Sequence, residues 1–184
     1  ELEYVLGKAC YFKGPAYLDE TAHWLEASIK DGYIAEDSRE YLAVAYAGLG
    51  DLDKALANFD SALARKKSDL LLIAAGKAYL DAGKDARAEA LLLEALASSG
   101  DVLAREKCRF LLASIYDGRG EAQKAQAQVE LVISENADSA EAHYRLGLIF
   151  QKTGDPIKAR SEWRRAVSID PMHAAARQKL TEKL

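Results

Sequence analysis

One short phrase recurs five times along this chain, and that recurrence constrains its fold more than any other feature. The phrase is a Leu, a small residue, an aromatic and then a glycine. It reads Leu6-Gly7, Cys10, Gly14; Leu42-Ala43, Tyr46, Gly50; and Ala75-Gly76, Tyr79, Gly83. It continues as Leu112-Ala113, Tyr116, Gly120 and Leu146-Gly147, Phe150, Gly154. The glycines lie 36, 33, 37 and 34 residues apart. A period in this range specifies one helix–turn–helix per repeat, stacked into a solenoid. Each unit then buries its apolar stripe against its neighbours, and no central core forms.

Composition agrees with an all-α chain. There are only three prolines, Pro15, Pro156 and Pro171, each at an expected turn or helix start, where a missing N–H costs little. No stretch approaches the roughly 18 uninterrupted apolar residues of a membrane helix. Cys10 and Cys108 fall in different repeats and read as small packing residues. A helical pattern already runs at Glu1, which suggests a piece of a longer protein.

Charge is uneven. Residues 143–184 hold 9 Lys/Arg and 4 Asp/Glu, a net of +5, while residues 1–142 carry a net of −9. An acidic body with a basic end does not suggest nucleic-acid binding, which usually shows a basic face throughout.

The pattern predicts helices in pairs, an A helix and a B helix joined at each turn glycine, which suits the left-handed conformation that ends a helix. The expected pairs are 2–12 and 18–31, 36–49 and 52–65, 69–82 and 85–98, 102–118 and 121–134, and 139–152 and 155–168. A last helix, from about 172 to 183, follows Asp170-Pro171 as a cap for the final apolar face. The B helices carry small residues five and twelve positions after the glycine. A bulky residue stands nine after it, as in Phe59, Leu92, Val129 and Trp163. Small residues let two helices approach, and the bulky one fills the groove they leave. In the first repeat Cys10 replaces the aromatic and Asp19 the first Ala, and one extra residue near Pro15–Leu18 is expected to move the packing places to Trp24 and Ala27.

Together these residues resemble the tetratricopeptide repeat family. Residues 140–171 fit at every key place: Leu146-Gly147, Phe150, Gly154-Asp155, Ala159, Trp163, Ala166 and Asp170-Pro171. Residues 36–67 fit nearly as well. The resemblance implies a single right-handed superhelical array over 1–184. Its five repeats would span about 1–35, 36–68, 69–105, 106–139 and 140–171, with a cap helix at 172–184. It also implies protein or peptide partners, bound in a concave groove lined by A helices. Some relatives hold chaperone carboxylates through a clamp of Lys, Asn and Arg. Here only Lys8 or Arg145 could serve in one, so that mode is not expected.

Counting back from each turn glycine in steps of three and four keeps residues on one helix face. The expected groove face is Tyr4, Lys8 and Tyr11; Glu40, Tyr41 and Val44; Leu70, Ile73, Lys77 and Leu80; Phe110 and Leu111; and Tyr144, Arg145 and Leu148. Mostly apolar or aromatic, such a face in water would mark an interaction site. A second candidate is a basic docking surface of Lys158, Arg160, Arg164, Arg165, Arg177 and Lys179, for an acidic partner or an anionic membrane surface. Trp24 and Trp163 read as inter-helix packing.

His23, His143 and His173 are scattered and lack metal-ligand spacing. No phosphate loop or nucleophile elbow is present. The sequence thus points to a scaffold or adaptor with no metal, cofactor or catalytic role. The alternatives are a self-assembling module that pairs through the uncapped first repeat, or a regulatory region of a longer multidomain protein. Membrane contact would be indirect or through missing flanks.

Overall fold

A computed structural model describes residues 1–182, and the end of the expected cap helix, residues 183 and 184, lies outside them. The chain divides into two compact units, Glu1–Ser98 and Ser99–Leu184. Among the described residues every regular element is helical.

The N-terminal unit holds α1 (Leu2–Lys13), a 3₁₀ turn at Pro15–Tyr17, α2 (Leu18–Lys30), α3 (Ser38–Leu49), α4 (Leu52–Leu63), α5 (Asp69–Asp81) and α6 (Asp85–Ser98). The C-terminal unit holds α7 (Val102–Gly118), α8 (Ala122–Glu135), α9 (Ala140–Lys152), α10 (Pro156–Ile169) and α11 (Ala174–Thr181). Odd and even helices pack as the expected pairs, and α11 packs on α10. No helix of the described residues is long and apolar enough to cross a membrane.

Local chemistry sets the helix ends. Gly50 ends α3 at φ 81° and ψ 4°, a conformation an L side chain adopts only with strain. The Ser68 hydroxyl accepts the Leu71 N–H at 3.2 Å and the Asp155 carboxylate accepts the Lys158 N–H at 3.0 Å. Each satisfies a donor that a helix start would otherwise leave open. The cap helix α11 begins later than expected. Asp170 first accepts the Met172 N–H in a turn, and the His173 Nδ1 then accepts the Ala176 N–H at 3.2 Å.

The small-and-bulky pattern becomes close packing. A Cβ added to Gly76 would lie 2.8 Å from Leu92 Cγ, and one added to Gly147 would lie 2.5 Å from Trp163 Cδ1 and 3.0 Å from the Ala159 carbonyl oxygen. Such distances leave no room for a methyl group. Trp163 is 0 % exposed and its Nε1–H donates to the Tyr144 carbonyl at 3.2 Å. The phrase aromatics reach back to the B helix of the preceding pair. Tyr79 of α5 donates its hydroxyl to Asp60 of α4 at 2.7 Å, and Tyr46 of α3 donates to Glu26 of α2.

The first pair departs from expectation. Gly7 packs on Leu25, the same relation that Gly76 has with Leu92. Leu25 is buried between Thr21 and Ser28, whereas Trp24 and Ala27 are only half-buried. The offset is therefore one residue larger than the sequence suggested. The 3₁₀ turn at Pro15–Tyr17 adds a step between the glycine and the B helix. Gly14 accommodates it with φ 107° and ψ −170°, unlike the later turn glycines.

Candidate partner-binding surface

In the N-terminal unit the helices α1, α3 and α5 contribute the expected groove face. Tyr4, Lys8, Tyr11, Glu40, Tyr41, Val44 and Leu80 are half-buried there, and Leu70 and Lys77 are exposed. Ile73 corrects the expectation: it is 8 % exposed and belongs to the core. It stands ten residues before its turn glycine, as do Tyr4, Glu40, Phe110 and Tyr144. That place is partly covered in every pair. The longer side chains reach out of the cover and the short aliphatic one does not.

A connected cluster forms where α1 meets α3. Tyr4 donates its hydroxyl to Asp37 Oδ1 at 2.6 Å, and Lys8 Nζ donates to Asp37 Oδ2 at 2.9 Å. The Lys8 ammonium also lies 5.5 Å from the centre of the Tyr4 ring and 5.4 Å from that of Tyr41, within range of cation–π attraction. Tyr11 packs on Tyr41 with centroids 4.6 Å apart, and Phe12, 68 % exposed, closes the group at 5.8 Å from Tyr41. Partial burial pulls the Asp37 carboxyl upward, but the Tyr4 and Lys8 hydrogen bonds outweigh it and hold the group below the usual aspartate range. Glu40 moves the other way: burial and the Asp37 charge push it up.

Beside this cluster lies a cleft of about 490 Å³, lined by Tyr4, Tyr33, Ala35, Glu36, Asp37, Glu40, Ala62, Lys66, Ser68 and Leu71. Sequence periodicity missed Tyr33, Glu36 and Lys66 because all three lie in loops, where no helical count applies. Phe12 falls one step outside the counted face.

In the C-terminal unit Phe110, Leu111, Tyr144, Arg145 and Leu148 are all half-buried. The Arg145 guanidinium sits 4.5 Å from the Phe110 ring centre and donates to Glu141 at 2.5 Å. His173 touches Glu141 at 3.3 Å and lies 5.0 Å from the Tyr144 ring, so the cap helix leans on the same face. A small cleft of about 120 Å³ opens beside Arg145 and Leu148.

The basic residues do not form one free surface. Lys158 pairs with Asp155 at 3.1 Å, Arg165 reaches Asp138 at 3.7 Å and Lys179 binds Glu182 at 2.8 Å. Arg160 donates to the Leu180 carbonyl at 2.9 Å, which ties α10 to α11. Arg164 and Arg177 are exposed.

Residues 140–173 match the tetratricopeptide repeat family. The fold is that of solved tetratricopeptide-repeat proteins. MamA from Desulfovibrio magneticus RS-1 superposes with a TM-score of 0.80 at 18 % identity, covering 94 % of this chain and 96 % of that one. YrrB, described as a TPR protein with an unusual peptide-binding site, gives 0.64 at 20 % identity, over 89 % of this chain and 80 % of its own. The C-terminal part of a TPR repeat-containing protein from Cytophaga hutchinsonii gives 0.78 at 15 %, over 97 % and 75 %. No curated protein matches the chain in sequence. Residues 140–173 thus carry a tetratricopeptide repeat, and the chain shares the helical-repeat fold of those solved proteins.

Proposed function

We propose that this protein is a non-catalytic scaffold or adaptor that holds a partner helix or extended peptide on the groove face of its odd-numbered helices. One observation carries the reading. The N-terminal unit presents two groups of touching rings, Tyr4 with Tyr33 and Tyr41 with Tyr11 and Phe12, bridged by the Lys8 ammonium beside an open cleft. Aromatic side chains in such a setting make strong anchors, because they offer large contact area at small conformational cost. The peptide-binding site ascribed to YrrB supports the same use of the same fold.

The test is a pull-down from native extract with wild-type protein and with Tyr41→Glu, both confirmed helical by circular dichroism. A true groove partner drops at least about tenfold with the variant, since a buried carboxylate among rings is strongly disfavoured. Equal recovery by both proteins refutes the groove.

A second reading, self-association, draws on α1. Leu2, Val5 and Phe12 are 67, 53 and 68 % exposed and lie at spacings of three and seven on one face. If copies pair there, sedimentation shows mass rising with concentration, and Val5→Lys with Phe12→Lys abolishes the rise.

A further inference from the structure

The cleft of the N-terminal unit carries its own chemistry. Its walls include two tyrosine rings, Tyr4 and Tyr33, with centroids 5.7 Å apart and planes tilted by 50°. Leu71, Ala62 and Ala35 add apolar lining, and three carboxylates, Glu36, Asp37 and Glu40, face the same space.

The charges there are not balanced. Lys8 already neutralises Asp37. Glu36 pairs with Lys66 at 3.1 Å, but these side chains are 66 and 69 % exposed, and an ion pair so open to water holds weakly. Glu40 is half-buried and, among the described residues, no hydrogen bond or ion pair holds it at contact distance; the Lys66 charge acts on it only as a lesser influence than burial and Asp37. A carboxylate taken partly out of water without a partner costs free energy that an arriving cation recovers. The wider field has the same sign: residues 1–98 hold 11 Lys/Arg against 17 Asp/Glu, a net of −6.

The cluster next door shows how this surface handles a cation. Lys8 stretches its ammonium between the Tyr4 and Tyr41 rings and ends on a carboxylate. The cleft repeats those parts with Tyr33, Tyr4 and Glu40, and the lysine that lines it, Lys66, is paired with Glu36.

We propose that the cleft lined by Tyr4, Tyr33, Glu36 and Glu40 receives a lysine or arginine side chain of a partner peptide. The aliphatic stem lies against the two rings and the charged head meets Glu40, with Glu36 released from Lys66 as a second contact. This rests on the groove reading above and gives its partner a chemistry: a basic residue, not an acidic tail. The volume, about 490 Å³, is ample for one long side chain and its adjoining backbone.

The probe is a random dodecapeptide display library selected on the whole protein, followed by affinity measurement of the enriched peptides. The expected result is enrichment of peptides with a shared Lys or Arg. Replacing that residue by Met weakens binding about tenfold or more, and Glu40→Gln weakens it comparably, in line with the loss of one charge-assisted contact. The Met substitution is made in the peptide, so it reads the contact without touching the protein's fold. Peptides that bind and are lost with Tyr41→Glu, yet carry no required basic residue, overturn the cation site and leave the groove reading standing. Peptides unaffected by Tyr41→Glu, or no enrichment at all, overturn both.

Discussion

Trp163→Ala is expected to cost the C-terminal unit about 4 kcal/mol, a large fraction of the stability that a small domain possesses. The indole is 0 % exposed and fills the gap that Gly147 leaves between α9 and α10. Removing it takes a large apolar area out of the core and leaves a cavity bounded by helices that a short turn holds in place. The lost hydrogen bond to the Tyr144 carbonyl adds little, since that oxygen lies within α9 and keeps its helical partner. Urea unfolding followed by circular dichroism measures the change. Trp24 is the other tryptophan and belongs to the N-terminal unit, so its fluorescence reports on that unit separately.

The partner glycine makes the prediction sharper. Gly147→Ala alone places a methyl against a rigid ring and a backbone carbonyl, for an expected cost of about 3 kcal/mol, the upper end of overpacking. In the Trp163→Ala background the same methyl enters the cavity, and alanine's better helix propensity contributes about 1 kcal/mol. The cost should vanish or change sign. Additive effects would show that the two residues are not packed as described, because only residues in contact couple this strongly.

That pair also shows why so much of the fold was legible. Gly147 and Trp163 stand 16 residues apart, and the same small-to-bulky relation recurs in Gly76 and Leu92. A repeated local rule fixes both the helices and the contacts between them, so periodicity in the chain becomes periodicity in space. The first pair departs from the count because the 3₁₀ turn at Pro15–Tyr17 changes the distance from glycine to B helix without disturbing the phrase itself. Leu25 therefore takes the place that the count gave to Trp24.

The candidate surface was legible in part. Helical counting found Tyr4, Lys8, Glu40 and Tyr41, because residues on one face share one period. It could not find the partnership of Lys8 with Asp37, 29 residues away, nor Tyr33 and Glu36, which reach the cleft from a loop. It also counted Ile73 outward, because periodicity gives the direction of a side chain and not whether it is long enough to reach water. The basic end illustrates the opposite limit. Six cations close in sequence read as one patch, yet Lys158, Arg165 and Lys179 each meet a carboxylate of their own.

A charge in the C-terminal unit supports the other large prediction, one that neither the period nor the phrase contains. The Arg109 side chain of α7 is 8 % exposed and donates to Glu135 Oε1 of α8 at 2.8 Å, while Arg105 donates to the same oxygen at 2.6 Å. Glu135→Gln is expected to destabilise this unit by about 2–3 kcal/mol. It removes the counter-charge of a nearly buried guanidinium, and the remaining exposure of Glu135, 25 % for its side chain, keeps the loss below that of a fully buried pair. Arg105→Gln should cost under about 1 kcal/mol, because the pair it removes is partly open to water and Glu135 keeps Arg109 as its partner. The pair also sets a pH dependence. The Arg105 hydrogen bond, against some desolvation and with help from Arg109, holds the Glu135 carboxyl below the usual glutamate range. A group whose folded pKa is depressed stabilises the fold above its unfolded pKa, and that stability disappears as the pH falls through the folded value. The wild-type advantage over Glu135→Gln should thus be full at neutral pH, shrink once the pH drops below about 4.5, and be nearly absent in strong acid. An advantage unchanged between neutral pH and strong acid would mean that Glu135 acts through shape or neutral hydrogen bonds, and not as the charge that keeps Arg109 in the core.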